Sequence, residues 1–266
     1  MSAVTPFKVK RVVVALESAC ENLAALERAA RLAQRTKAEL HAIFLEDPRL
    51  FEAAALPFTR YVCLASGTCS PLETGRIEQD LHAMAARSRR HLEALAQRFN
   101  ITCTFEAVRG DRSAAMDNAG CDDLLVMDST TRGAGQFLAL PSDWSKAVTN
   151  CGRSCLLLAP SGAQARNVLV LHDGSPAADR ALAAARALDG ESGAKLILAR
   201  LSGSAIAADA TLEVRDLMSV NAAELRRAIG HERCGLVVAP ASLVAGHQTA
   251  LADFLAAPSC ALLIVA

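Results

Sequence analysis

The sequence predicts an α/β protein built of two tandem, doubly wound domains, each with a five-stranded, mostly parallel sheet. Three observations carry that prediction. The first is a strand–turn–helix unit at residues 168–188, VLVLHDGSPAADRALAAARAL. The second is its recurrence 156 residues earlier, at 12–32, as VVVALESACENLAALERAARL, with Glu17 under Asp173, Leu26 under Leu182, Ala29 under Ala185 and Leu32 under Leu188. The third is a pair of later correspondences, DLLVM at 123–127 with GLVVA at 235–239, and CLLLA at 155–159 with CALLI at 260–264. A repeat of this length means two units of one architecture. Strands alternating with helices imply right-handed crossovers within parallel sheets.

Each element has its own reason. Residues 11–16 are a branched apolar run, which reads as a buried strand. Residues 21–34 form a helix with Leu23, Leu26, Ala30 and Ala33 inward, and 39–45 form a second strand. Residues 50–74 show no clear period and are broken by Pro57, Gly67 and Pro71, so they read as a long irregular segment, which in a compact domain is functional or mobile. Ile77, Leu81, Met84, Ser88, Leu92, Leu95 and Phe99 step by fours and threes, predicting a helix over 76–99, about 36 Å long. Strands follow at 102–108, 124–127 and 154–159, with Ser113 capping a short helix and another helix within 136–150. The first domain thus takes residues 1–160, with 50–74 as an inserted segment. Residues 161–166 are the linker and 167–266 the second domain, with strands at 167–172, 194–201, 211–216, 235–239 and 260–265. The offset between repeats falls from 156 residues at the first strand to 112 at the fourth and 105 at the fifth, so the second domain has no room for the long helix.

Composition narrows the function classes. Twenty-eight basic residues balance 28 acidic ones, which leaves no electrostatic footprint for nucleic acid and no polybasic membrane segment. Apolar runs fall short of the roughly 18 residues a membrane span needs. The basic start, Lys8-Val9-Lys10-Arg11, leads into an apolar run that stops at Glu17, too short for a signal peptide, so the chain reads as cytoplasmic. The odd count of nine cysteines then points to reduced thiols. With no C-x-x-C pair, four converging zinc ligands are not offered, and no metal site is expected. The arginines at 87, 89, 90 and 98 read as a solvated helix face.

The second-repeat turn, His172-Asp173-Gly174-Ser175-Pro176, is the strongest candidate site. Ser175 can cap the following helix with Pro176 at its first position. Ligands of open parallel sheets sit above the carboxyl ends of strands, where this turn lies. His172, Asp173 and Ser175 invite a hydrolytic triad, but triad members converge from separate elements and no Gly-x-Ser-x-Gly elbow is present. No catalytic residue is therefore assigned. Gly133-Ala134-Gly135 is a fragment of a dinucleotide fingerprint without its third glycine. Cys63 and Cys69, in the irregular segment, offer a thiol-based redox sensor as another reading.

The Asp-Gly-Ser opening, the turn after strand four and the Cys-plus-apolar ending together resemble the universal stress protein family, over nearly the whole chain and as two tandem domains. The resemblance implies the universal stress protein or adenine-nucleotide hydrolase-like fold and a cytoplasmic, non-catalytic role in the stress response. Members that bind ATP use the aspartate after strand one, and a Gly-x2-Gly-x9-Gly-Ser/Thr stretch after strand four. Carried over residue by residue, Asp173, Gly174 and Ser175 match in the second repeat, and Glu17 replaces the aspartate in the first. Asp128, Thr131 and Pro141 stand at the three glycine positions of the first repeat, with only Ser142 kept, while Pro240 and Leu243 take the first two in the second. The nucleotide site is thus expected to be eroded. ATP or AMP is the cofactor class it would weakly take, and the partners implied are a small adenosine-like ligand or another protein. The resemblance also implies that the last strands, 156–159 and 262–265, pair inside the chain as a pseudo-dimer, and it leaves open a homodimer of the whole chain. The apolar 50–74 segment, with Phe51, Leu56, Phe58, Tyr61, Val62 and Leu64, is expected to pack over the carboxyl ends of the strands or against the second domain, where it could line a cavity.

Overall fold

The computed structural model describes residues 7–17, 23–62, 66–110, 119–128, 153–158, 167–189, 195–201, 212–229, 234–255 and 260–266. The first half runs β1 (Arg11–Glu17), α1 (Leu23–Thr36), β2 (Glu39–Glu46), α2 (Pro48–Ala55), β3 (Arg60–Val62), β4 (Cys69–Pro71), α3 (Thr74–Phe99), β5 (Cys103–Arg109), β6 (Asp123–Asp128) and β7 (Ser154–Leu158). The second runs β8 (Asn167–His172), α4 (Pro176–Asp189), β9 (Leu196–Leu201), β10 (Glu213–Leu217), α5 (Ala222–Ile229), β11 (Cys234–Pro240), α6 (Ala241–Gly246), α7 (Gln248–Leu255) and β12 (Ala261–Val265).

Ten strands form one sheet in the order β10-β9-β8-β11-β12-β7-β6-β1-β2-β5. Each half contributes five parallel strands in the doubly wound order, third-second-first-fourth-fifth. The halves meet through the antiparallel pair β7/β12, with Leu262 opposite Leu157, Leu263 opposite Leu156 and Ile264 opposite Cys155. The last strands therefore pair within the chain, as expected. The physical reason is plain: Cys155 to Leu158 and Leu262 to Val265 are all buried, and an open edge of such residues would be a template for aggregation.

Both faces of the sheet are covered, which explains strands apolar on both sides, such as Val12, Val13 and Val14. On one face α1, α3 and α4 pack into a core that runs through both halves, from Leu26 and Leu92 to Ala184 and Val265. On the other, α5, α6 and α7 cover the second half around Leu225, Leu251 and Phe254. The α1 helix buries Ala25, Leu26, Ala29, Ala30, Leu32 and Ala33 and ends at Lys37, in the left-handed conformation. The long helix begins two residues earlier than its stripe suggested and buries Ile77, Leu81, Ala85, Ser88, Leu92, Leu95 and Ala96. Its stop is Asn100, left-handed at φ 51°, whose N–H reaches the Ala96 and Gln97 carbonyls.

The segment at 50–74 departs from expectation. Its described residues include regular elements: Asp47 Oδ1 accepts the Arg49 N–H at 2.9 Å with Pro48 at the first helical position, starting α2, and β3 and β4 form a hairpin with Gly67 at φ 68°. Nor is it buried throughout. Phe51, Ala54 and Leu72 dock on the core, and the Arg109 guanidinium stacks 3.8 Å from the Phe51 ring. In the hairpin region, however, Leu56 is 63%, Phe58 97% and Val62 53% exposed. A hairpin of three-residue strands has no second layer over it, so its apolar side chains face solvent. A cavity of about 140 Å³ lies between Phe7, Lys8, Asp122, Ser154, Arg180 and Ala266.

Candidate functional site

The candidate turn follows β8, the central strand of the second half, where the strand order reverses between β9 and β11. Its backbone is built by short side-chain bonds. Asp173 Oδ1 accepts the Ser175 N–H at 3.0 Å, Ser175 Oγ accepts the Ala178 N–H at 3.2 Å, and Gly174 takes φ +83°, a left-handed conformation that favours glycine. Asp173 is half-buried. Burial pushes its carboxyl up, but the hydrogen bonds from Ser175 outweigh that and hold it below the usual carboxylate value. Asp173, Gly174 and Ser175 are thus brought together in one turn, with Gly174 open to solvent.

Behind the turn sits a contact that sequence reasoning missed. His172 is buried, accepts the Gly174 N–H on Nδ1 at 3.1 Å and faces Asp179 Oδ1 from Nε2 at 3.1 Å. Because Nδ1 is an acceptor, the neutral ring carries its hydrogen on Nε2, which donates to Asp179. Both ring nitrogens are occupied in holding strand, turn and helix together. Ser175 Oγ is committed to the helix cap, so this turn contains no Ser–His bond of the kind a hydrolase needs. The signal in the sequence was faint: His172 ends a strand and Asp179 lies in the next helix, so no single periodicity relates them.

The neighbouring turn follows β11, whose register puts Val238 beside Val170, so the ends of β8 and β11 are adjacent. Here Pro240 ends the strand and is itself the residue before α6, with no side-chain cap. Leu243 and Val244 point into the core. Strand and helix are joined with no intervening residues, so there is no room for a glycine-rich loop that wraps a phosphate ahead of the helix.

In the first half, Glu17 ends β1 opposite Leu45 and Asp128 ends β6 opposite Leu158, so their backbones occupy the corresponding places. Ser142, Thr131, Pro141 and Gly133-Ala134-Gly135 lie outside the described residues, as do the side chains of Glu17 and Asp128, the helices expected at 113 and 136–150, the 161–166 linker and Cys63. Cys69 is exposed on β4. Among the described residues, no group of three or more His, Cys, Asp or Glu converges as metal ligands, and no helix is long and apolar enough to cross a membrane.

The sequence matches no family model and no curated protein. Solved structures do match. A universal stress protein from Archaeoglobus fulgidus DSM 4304 is 14% identical with a TM-score of 0.59, covering 95% of both chains. A protein of unknown function from Pseudomonas aeruginosa PAO1 is 14% identical with a TM-score of 0.59, covering 97% of this chain and 92% of its own. The cytoplasmic domain of a prokaryotic cation chloride cotransporter is 11% identical with a TM-score of 0.51, covering 97% and 95%. Two five-stranded halves in the same strand order, joined edge to edge, give this chain the universal stress protein fold in tandem.

Proposed function

We propose that the chain is a non-catalytic, cytoplasmic regulator of the stress response whose nucleotide site has eroded, organised as domains 1–160 and 167–266 about a short linker. The observation that carries the erosion is the direct join of β11 to α6 through Pro240, which offers no N–H, with Leu243 buried where a loop glycine would stand. Asp128 and Pro141 in the first repeat support it from the sequence: a carboxylate at the loop's start repels phosphate, and a proline removes a donor. Each lost charge-assisted bond is worth about 1.5–3 kcal/mol, enough together to move a micromolar site to millimolar or weaker. Isothermal titration with Mg-ATP is the test. Heats with no saturation below millimolar are expected, and a micromolar dissociation constant at either half would overturn the reading.

A second reading is favoured by the intact Asp173 turn: an adenosine- or AMP-like ligand, which needs no triphosphate cradle, sits at Asp173, Gly174 and Ser175. Titration with AMP separates it, since saturation that is lost in Asp173→Ala supports the second reading alone.

A further inference from the structure

Two cysteines that lie far apart in sequence meet at the opposite, amino-terminal end of the second half. Cys234 opens β11 and Cys260 immediately precedes β12, its parallel neighbour. A β-bulge interrupts the pairing of β11 with β8: Cys234 is opposite Asn167, yet Leu236 is opposite Val168, so Gly235 is an extra residue. In an unbroken strand, Cys234 and Leu236 would point to the same face. The bulge turns Cys234 to the other face, into the core that also holds Cys260, while Leu236 packs on the opposite core. There Cys260 Sγ donates to the Cys234 carbonyl at 2.8 Å, and Cys234 Sγ to the Leu236 carbonyl at 3.3 Å. Both side chains are buried.

From this bulge-made juxtaposition we propose that Cys234 and Cys260 are a dithiol that a hydroperoxide oxidises reversibly to an intrachain disulfide. Cys234 gives up its proton and attacks the peroxide as thiolate; an S–O bond forms, the O–O bond breaks, and the departing hydroxide takes that proton and leaves as the first water, giving a sulfenic acid. Cys260 then attacks that sulfur; the S–S bond forms, the S–O bond breaks, and the departing hydroxide takes the Cys260 thiol proton and leaves as the second water. In sum two thiols and one hydrogen peroxide give one disulfide and two waters, the two electrons passing from the sulfurs to the peroxide oxygens. The roles follow from the environment: the Cys260 S–H beside Cys234 lowers the Cys234 thiol against the effect of burial, and the same contact, with burial, raises Cys260. Cys155, buried and pushed up to about 12 by that burial, is the built-in control.

The pairing is specific enough to read by mass. No Lys or Arg lies between Cys234 and the last residue, and Arg233 precedes it, so trypsin leaves both cysteines on one peptide. The full chain is treated with hydrogen peroxide, denatured, alkylated with iodoacetamide and digested. The expected peptide carries no carbamidomethyl group and is two hydrogens lighter than the dithiol. Reduction before alkylation restores two labels, and Cys155 is labelled throughout. In Cys260→Ser, Cys234 is expected to stop at sulfenic acid, trapped by dimedone in the intact protein. Two labels on the wild-type peptide at a dose that fully oxidises the exposed Cys69 and Cys121 would overturn the proposal, as would disulfides joining Cys234 to other cysteines. Unchanged circular dichroism of Cys260→Ser separates lost chemistry from lost fold; should that variant not fold, the wild-type peptide masses decide the matter alone.

Discussion

At the scale of single residues, the turn after β8 shows how local bonds fix a site before any ligand does. Gly174 holds φ +83°, and a side chain there costs roughly 1–2 kcal/mol. Gly174→Ala is therefore expected to lower the unfolding free energy by that amount, read from urea unfolding, with the fold retained by circular dichroism. A second prediction concerns acid. Asp123 is buried, and although burial pushes its carboxyl up, hydrogen bonds from Arg11 at 2.6 Å and from the Gly120 N–H hold it low. Asp173 is held low in the same way by Ser175. A carboxyl whose pKa is depressed on folding contributes stability that is present above its unfolded value, about 4, and is lost as pH falls through the folded value. Stability should thus hold from neutral pH to about pH 4–5 and fall below it. Asp123→Asn is expected to cost about 1–3 kcal/mol at neutral pH and to flatten that acid slope, both read from urea midpoints against pH. Of these residues, the Asp-Gly-Ser turn was legible because its chemistry is local. The Arg11–Asp123 bond was not, because the two lie 112 residues apart and meet only through the pairing of β1 with β6.

At the scale of elements, α3 and the β3/β4 hairpin make opposite predictions from similar composition. Leu81 and Leu92 are buried at the α3 seam, so Leu92→Ala should cost about 2–5 kcal/mol in chemical denaturation. Phe58 touches little, so Phe58→Asp should change stability by no more than about 0.5 kcal/mol. A loss of several kcal/mol at Phe58 would mean the hairpin is packed in solution. The contrast explains what the sequence could tell. The α3 stripe has a period that can only be satisfied by burial along one face, whereas the apolar residues of 56–62 have none. Apolar content without period therefore led to an expectation of burial that the hairpin does not meet. The α2 helix was missed for a smaller reason: its start signal, Asp47-Pro48, lies just before the stretch taken as irregular.

At the scale of the whole molecule, the repeat in the sequence foretold the symmetry, because two copies with apolar last strands must hide both edges. Residues 167–266 produced alone would bare β12, and light scattering after gel filtration should find self-association, while the full chain shows none through that seam. The antiparallel seam has another outcome. It inverts the second half relative to the first, so the strand ends that carry Asp173 and those that carry Glu17 open in opposite directions along the sheet. It also ties the two halves to one gene. In a dimer of identical subunits, each substitution strikes both copies; here each half can drift alone while the other keeps the scaffold. Residues 202–212, all that joins β9 to β10, are too few for a counterpart of the 26-residue α3. That asymmetry is what such divergence under a shared scaffold would leave, and it gives the chain two separately evolvable ends.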